Sequence, residues 1–304
     1  MKELDLTSLR YFVRVCETGN ISRAAEQENV VPSAVSKRIA MLEQGFQVVL
    51  LERRRRGVVP TNAGETLLAN ARAILSSANR IAQDMSSYGS GVRGHVRLLG
   101  TVSAIAESLP DDVAAFMQKE KHRDIQVHIE EEFSREITRR VREGSGELGV
   151  LWDAADLDGL QTMRYRSDHL AIVAHASHPL AGKGRVAFED TFQYEHVGLQ
   201  SPSAINSMLD RAMAIAGRRL EFRSTVSNFE AALRVVRANL GIAVIPSEVA
   251  GSSAEMYGLK VIPLTDEWAR RNYVICFRGR EYLSRAAQML LDFLGSRKKR
   301  SAGA

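Results

Sequence analysis

At 304 residues the chain is longer than one average domain, and its 45% hydrophobic and 25% charged residues sit in the ordinary range for water-soluble globular proteins. No stretch approaches the roughly eighteen uninterrupted apolar residues of a membrane-spanning helix, which excludes that class and predicts two or more domains with cores of their own. The net charge of +5 and the pI near 9.3 allow a nucleic-acid partner without selecting one.

The N-terminal MKELDLTSLRYF has early acidic residues and no apolar core ahead of a small-residue cleavage site, so a cytoplasmic location is expected. Cys16 and Cys276 lie far apart, and Cys16 falls on an apolar helical stripe; two reduced core thiols are expected, not a disulfide or a metal site. Charge is unevenly spread. From Ser33 to Arg56, the basic residues Lys37, Arg38, Arg53, Arg54, Arg55 and Arg56 are balanced only by Glu43 and Glu52.

Leu9, Phe12, Val13 and Cys16 recur at i, i+3, i+4 and i+7, which predicts an amphipathic helix stopped by Thr18-Gly19-Asn20. A short second helix is predicted over Ser22 to Glu28, where Ala24 and Ala25 let another helix come close. A third begins near Pro32, a residue suited to a first helical turn, and its buried stripe is expected to be Val35, Ile39, Leu42 and Phe46. Helical pitch then puts Ser33, Lys37, Ala40 and Gln44 opposite that stripe, with Ser36 and Arg38 on its flanks. Two short helices, the second with a small, polar and basic face, resemble a helix-turn-helix. The run VVLLERRRRGVVPT reads as a hairpin-like wing that sets its arginines beside that face.

Leu67, Ala71, Ile74, Ala78, Ile81 and Met85 follow a heptad seam, predicting one long helix that pairs with a second copy. The stretch YGSGVRG, Tyr88 to Gly94, reads as a hinge and a domain boundary. Beyond it, strands are predicted at 95–99, 124–130, 147–152, 169–176, 196–200, 241–246, 260–264 and 272–277, with helices around 109–119, 204–216, 229–239 and 283–294. This is an α/β pattern. The terminal RKKRSAGA is expected to fray.

The segments LRYFVRVCETGNISRAAEQENVVPSAVSKRIAMLE, LLERRRRGVVPTNAGE, the seam helix and VRANLGIAVIP, in this order and spacing, resemble the LysR-type transcriptional regulators over nearly the whole chain. The resemblance implies a multi-domain protein: an all-α winged helix-turn-helix at 1–62, a dimerising linker helix at 63–88, a hinge at 89–94 and an α/β effector-binding domain at 95–304 similar to periplasmic binding proteins. That last domain would have two subdomains, about 95–166 with 267–296 and about 167–266, with chain crossings near Arg166 and Thr265. It further implies a sequence-specific regulator that is not an enzyme, binding double-stranded DNA at a pseudo-palindromic operator as a homodimer or homotetramer. Its other partners would be a small-molecule effector and, for an activator, RNA polymerase; no cofactor, metal or membrane is implied. Where many relatives have Ser-Gln-Pro this chain has Val31-Pro32-Ser33, so the usual capping Ser is missing. Gln47 and Asn239 stand where Gly is frequent, and Leu51 where Phe is usual.

On this reading DNA contact falls to Ser22, Ser33, Ser36, Lys37, Arg38, Arg53, Arg54, Arg55 and Arg56, with phosphate grip on the wing and sequence choice on Ser33 to Arg38. Effector contact falls to Thr101, Val102 and Ser103 after the first strand, Trp152, Ser201 and Ser203, and Ser227 with Phe229. Ser227 to Glu230 also fits the S-x-x-E capping box, so Ser227 has a competing role at a helix start. His169, His175 and His178 have no standard metal-site spacing. No G-x-S-x-G, H-E-x-x-H, P-loop or G-x-G-x-x-G match supports an enzyme with a DNA-binding appendage, and a constitutive architectural protein differs by ignoring effectors.

Overall fold

The computed structural model describes residues 4–55, 57–87, 94–200, 204–220 and 222–297. Arg56, Ser201, Ser203, the expected hinge apart from Gly94, and the tail beyond Arg297 lie outside them. The chain divides into two compact units, Met1–Ser90 with Arg142–Ser145, and Gly91–Val141 with Gly146–Ala304.

The first unit opens with α1 (Leu6–Thr18), α2 (Ile21–Gln27) and α3 (Pro32–Phe46). Asp5 caps α1 by accepting from the N–H groups of Thr7 and Ser8 at 3.1 and 3.0 Å, and Gly19 ends it in the left-handed conformation. Asn20 caps α2 in the same way. Their apolar faces meet: Leu9, Phe12, Val15, Ala24, Ala25, Val35, Ile39 and Leu42 are all buried in one cluster. Fully burying each large apolar side chain contributes about 1.5–3 kcal/mol.

The expected stripe on α3 is right for Val35, Ile39 and Leu42 and wrong for Phe46, which is 43% exposed. The helix ends there, and Gln47 turns left-handed at φ +56°, so the last position of the stripe no longer points at the core.

The wing is β1 (Leu51–Arg54) paired antiparallel with β2 (Gly57–Pro60), with Arg54 opposite Gly57. Gly57 has φ +127°, and a Cβ there would stand 2.2 Å from the Gly19 carbonyl oxygen, which accepts the Val58 N–H at 2.9 Å. Only glycine lets the wing close onto the end of α1. Thr61 then starts α4 (Asn62–Ser87), its hydroxyl accepting from Gly64 N–H at 3.0 Å and donating to the Val49 carbonyl at 2.7 Å. On the heptad seam Ala71 is fully buried within its own chain, while Ile74, Ile81 and Met85 stay 42%, 60% and 60% exposed.

The second unit comprises β3 (Gly94–Gly100), α5 (Val102–Ala106), α6 (Leu109–Met117), β4 (Ile125–Glu131), α7 (Ser134–Arg142) and β5 (Leu148–Trp152). It continues with β6 (Gln161–His175), β7 (His196–Leu199), α8 (Ala204–Ala216), β8 (Phe222–Val226), α9 (Phe229–Arg237) and β9 (Ala243–Pro246). The last elements are α10 (Ser247–Tyr257), β10 (Leu259–Pro263), β11 (Arg270–Phe277) and α11 (Arg285–Ser296).

The main sheet runs β10-β6-β11-β5-β3-β4, with β9 also paired to β6. The strand β6 belongs to both halves of the unit. From Gln161 to His169 it pairs with β11; from Leu170 to His175 it pairs with β9 and β10. The return crossing runs from Leu264, whose N–H donates to the Leu170 carbonyl, to Arg270 at the start of β11. One core, with Val96, Leu98, Phe116, Leu148 and Leu290, fills the first half, and a second, with Leu170, Ile172, Phe188, Leu233 and Ile245, fills the other. Two pieces of strand were not anticipated from sequence, Gln161–Asp168 and β8. Both are rich in Arg, Ser and Thr, so no apolar alternation marks them.

Candidate nucleic-acid interface and ligand cleft

Burial of Val35, Ile39 and Leu42 fixes the roll of α3 and turns Ser33, Ser36, Lys37, Ala40 and Gln44 to solvent. Val31 precedes the helix with no side-chain cap and is 63% exposed. Lys37 has no ion pair among the described residues, so its charge is available to an outside anion. Arg38 is not. Its guanidinium is ion-paired with Asp5 and lies 3.4 Å from the Ser8 hydroxyl, tying the third helix to the cap of the first. The Ser8 hydroxyl holds the Asp5 carboxyl below its ordinary range, with further help from the Thr7 and Ser8 N–H groups and Arg38. The Arg38 side chain remains 41% exposed beside this ion pair, on the flank of the polar face of α3.

Ser22 is exposed in the first turn of α2, beside Arg23, which is exposed with no ion pair among the described residues and which sequence reasoning missed. The signal was available: a basic residue next to a helix start, in a motif where that start meets the phosphate backbone. On the wing Arg53 and Arg55 are exposed without an ion pair among the described residues, while Arg54 faces Glu52 at a loose 3.7 Å. Arg10 and Arg14, by contrast, are drawn inward to Glu28 at 2.9 and 3.2 Å. Arg23, Lys37, Arg53 and Arg55 therefore form a set of unneutralised cations on α2, α3 and the wing. Such a set can bind polyanions, and small Ser and Ala side chains between the cations permit close approach to base edges.

In the same unit, an apolar recess of about 600 Å³ is lined by Leu4, Phe46, Val48, Leu67 and Ile74 among others. Cys16 is no reactive centre: burial, and secondarily Glu65, push its thiol up to about 12.

In the second unit, Thr101 caps α5, its hydroxyl accepting from Ala104 N–H at 3.4 Å while its own N–H donates to the Val150 carbonyl at 3.1 Å. Val102 and Trp152 come from elements of the first half, yet both are half-buried against the core of the second half. They mark where the two halves meet around the carboxyl ends of β3 and β5, the end at which open α/β sheets bind ligands. Ser103 is 4% exposed, and Phe229, 5% exposed, packs within the second core. The cap of α9 is Asn228, which accepts from Ala231 N–H at 2.9 Å; Ser227 is exposed and only receives the Asn228 amide at 3.4 Å. Glu230 does not close a capping box. It pairs with Arg234 at 2.8 Å and accepts from the Tyr257 hydroxyl at 3.1 Å. His169 bonds the Leu264 carbonyl at 2.7 Å, His175 bonds Ser177, and His178 caps a short turn against Tyr194, so each has a separate structural partner.

Comparison with known proteins matches the two units to two family profiles. Residues 6–65 match "Bacterial regulatory helix-turn-helix protein, lysR family", and residues 89–299 match "LysR substrate binding domain". Among curated relatives, the uncharacterized HTH-type transcriptional regulator YbhD of Escherichia coli K12 is 26% identical over 293 residues, covering 95% of this chain and 90% of that protein. Among solved structures, full-length CbnR complexed with its target DNA superposes with a TM-score of 0.67 at 21% identity, over 96% of this chain and 99% of that one. The effector binding domain of QuiR in complex with shikimate gives 0.58 at 20% identity, over 67% of this chain and 96% of that one. At these identities the structural likeness is one of fold.

Proposed function

The chain belongs to the LysR family of DNA-binding transcriptional regulators, and from that premise we propose that it grips a pseudo-palindromic operator through α3 and its wing while a small molecule bound between the halves of the second unit sets its activity. Its work is regulation, not catalysis. The observation that carries the DNA assignment is the uncommitted cationic set Arg23, Lys37, Arg53 and Arg55 around a small, polar helix face. Ser33, Ser36 and Lys37 choose sequence; Ser22, Arg23 and the wing through Arg56 hold phosphate.

Arg38, ion-paired with Asp5, stands on the flank of that face. A second copy completes the apolar recess, with Ile74, Ile81 and Met85 of α4 as the apolar seam, giving a homodimer or a homotetramer. The functional boundaries are 1–62, 63–88, 89–94 and 95–304.

The effector site comprises Thr101, Val102 and Trp152 from the first half and Ser201, Ser203 and Ser227 from the second. The shikimate held by the QuiR domain supports an effector of the small polar organic class. RNA polymerase is the further partner if the outcome is activation, and the setting is the cytoplasm. A footprint of the full chain on the DNA upstream of its own gene, with and without each member of a panel of small organic acids, tests both halves of the reading. Protection of two half-sites that changes with one acid supports it. Absence of any protected site overturns the DNA assignment, and protection that no member of the panel alters overturns the assignment of a small polar effector.

A further inference from the structure

Where the chain crosses between the two halves of the second unit, the structure buries three ionisable side chains. Arg271 of β11 stands directly opposite Asp168 of β6 in the ladder, two positions before Leu170, where β6 changes partners. Its guanidinium is 1% exposed and gives both Nε, at 2.8 Å, and Nη2 to the same oxygen of Asp168. Glu107, in the corner between α5 and α6, comes to the same guanidinium at 3.4 Å, and its carboxylate side accepts the Tyr273 hydroxyl at 3.0 Å. The side chains of Glu107 and Asp168 are only 5% and 3% exposed. The next residue, Ser108, donates to Glu248 of α10, which belongs to the second half. The corner that follows the α5 turn is thus tied at once to both crossing strands and to the far half.

The charges do not balance. Two buried carboxylates share one guanidinium, and Asp168 has the better share of it. Glu248 adds a further negative charge at the rim, and Tyr273 offers only a neutral hydroxyl. An uncompensated carboxylate in so dry a place is resolved by taking up a proton. The group least served by Arg271 is Glu107. Burial first, then the charge of Asp168, raise it to about 9, against the opposing pull of Arg271 and Tyr273.

We propose that Glu107, Asp168 and Arg271 form a proton-linked latch between the two halves: with one proton bound, the α5–α6 corner docks on the crossing strands, and losing that proton frees the corner. The ionisable and charged groups facing Glu107 are Asp168 from β6, Arg271 and Tyr273 from β11 and Glu248 from α10. Because the corner directly follows Thr101 and Val102, the latch makes the effector response depend on pH; only that consequence rests on the proposed effector site.

The sign follows from where the proton sits. An unfolded glutamate titrates in the ordinary carboxylate range and the folded one far above it, so between the two the folded chain holds one more proton. Glu107 therefore contributes stability at acid pH that is lost as pH rises. The test uses urea unfolding of the full chain and of Glu107→Gln across that window. The expected result is a ratio of unfolding constants, wild type over variant, that rises about tenfold per pH unit. A ratio independent of pH overturns the proposal.

Should Glu107→Gln not fold, wild type labelled with ¹³C at glutamate carboxyls serves instead. One carboxyl resonance should titrate on the alkaline side of neutrality, together with a loss of protection at the Glu107 amide, which bonds the Ser103 carbonyl at 3.1 Å. In Asp168→Asn that titration should move back toward the ordinary range. If every glutamate titrates in the ordinary range, or if the amide keeps its protection through the alkaline step, the latch is refuted. None of these readouts involves DNA or effector, so failure here is distinguishable from failure of the regulator reading.

Discussion

Replacing Arg53 and Arg55 together by alanine tests whether the wing grips phosphate. Both guanidinium groups are exposed, and the β1–β2 ladder is carried by backbone pairs that the change leaves in place. The fold should survive with little loss of stability. Each phosphate contact contributes about 0.9 to the slope of log affinity against log salt, so losing two should flatten the slope by about 1.8 per DNA-binding unit and about 3.6 in a two-fold dimer. Across a fourfold rise in salt, from about 50 to about 200 mM, the variant dimer should lose about 150-fold less affinity than the wild type does. The assay is fluorescence anisotropy with a duplex from upstream of the gene and an unrelated duplex, each titrated at several salt concentrations. Both duplexes should respond alike, because phosphate contacts carry no sequence information. Parallel salt slopes for variant and wild type would refute the assignment.

Three further outcomes follow from particular residues. Gln47→Gly relieves a left-handed conformation at φ +56° and should raise the stability of the DNA-binding unit by about 1 kcal/mol, read as a higher urea midpoint. Val31→Asp gives α3 the cap it lacks and should stabilise by about 1 kcal/mol, yet weaken DNA binding by placing an anion where the helix meets phosphate; selection from a random duplex library and urea unfolding separate the two effects. Ile81→Asp with Met85→Asp, at positions each 60% exposed, should leave secondary structure unchanged and shift the sedimentation coefficient to that of a monomer.

The helices of the DNA-binding unit were legible because each packs one stripe against one small core. Leu9, Phe12, Val35, Ile39 and Leu42 announce themselves by spacing alone. Phe46 did not, since the stripe continues in sequence past the point where Gln47 turns the backbone. The cap of α9 falls on Asn228, one residue after the Ser227 that the capping-box pattern picked out, because both are good caps standing side by side and only the backbone decides which one starts the helix. Pairings across long separations left no local trace. Asp5 and Arg38 are 33 residues apart, and Glu107, Asp168 and Arg271 are scattered over 164, so neither the commitment of Arg38 nor the buried charge cluster could be read from a window of sequence. The first part of β6 escaped notice for a related reason: its neighbour is β11, a hundred residues on, and its own outward side chains are polar.

The single strand β6 runs unbroken for 15 residues through both halves of the second unit, with β11 hydrogen-bonded along its first part. A joint made of paired strands is stiff along its length and against bending in the plane of its hydrogen bonds, and softest in twist. In mechanical terms the joint is built like a torsion bar. Any motion of one half against the other would have to pass through these paired strands, and would be spread over several residues in small increments of twist. A change of a few degrees at the bar becomes a displacement of ångströms at the outer rim of each half, so amplitude is set by distance from the axis. Stiffening the bar, for example by filling its irregularity between Asn272 and Val274, would reduce that throw without touching any group that binds.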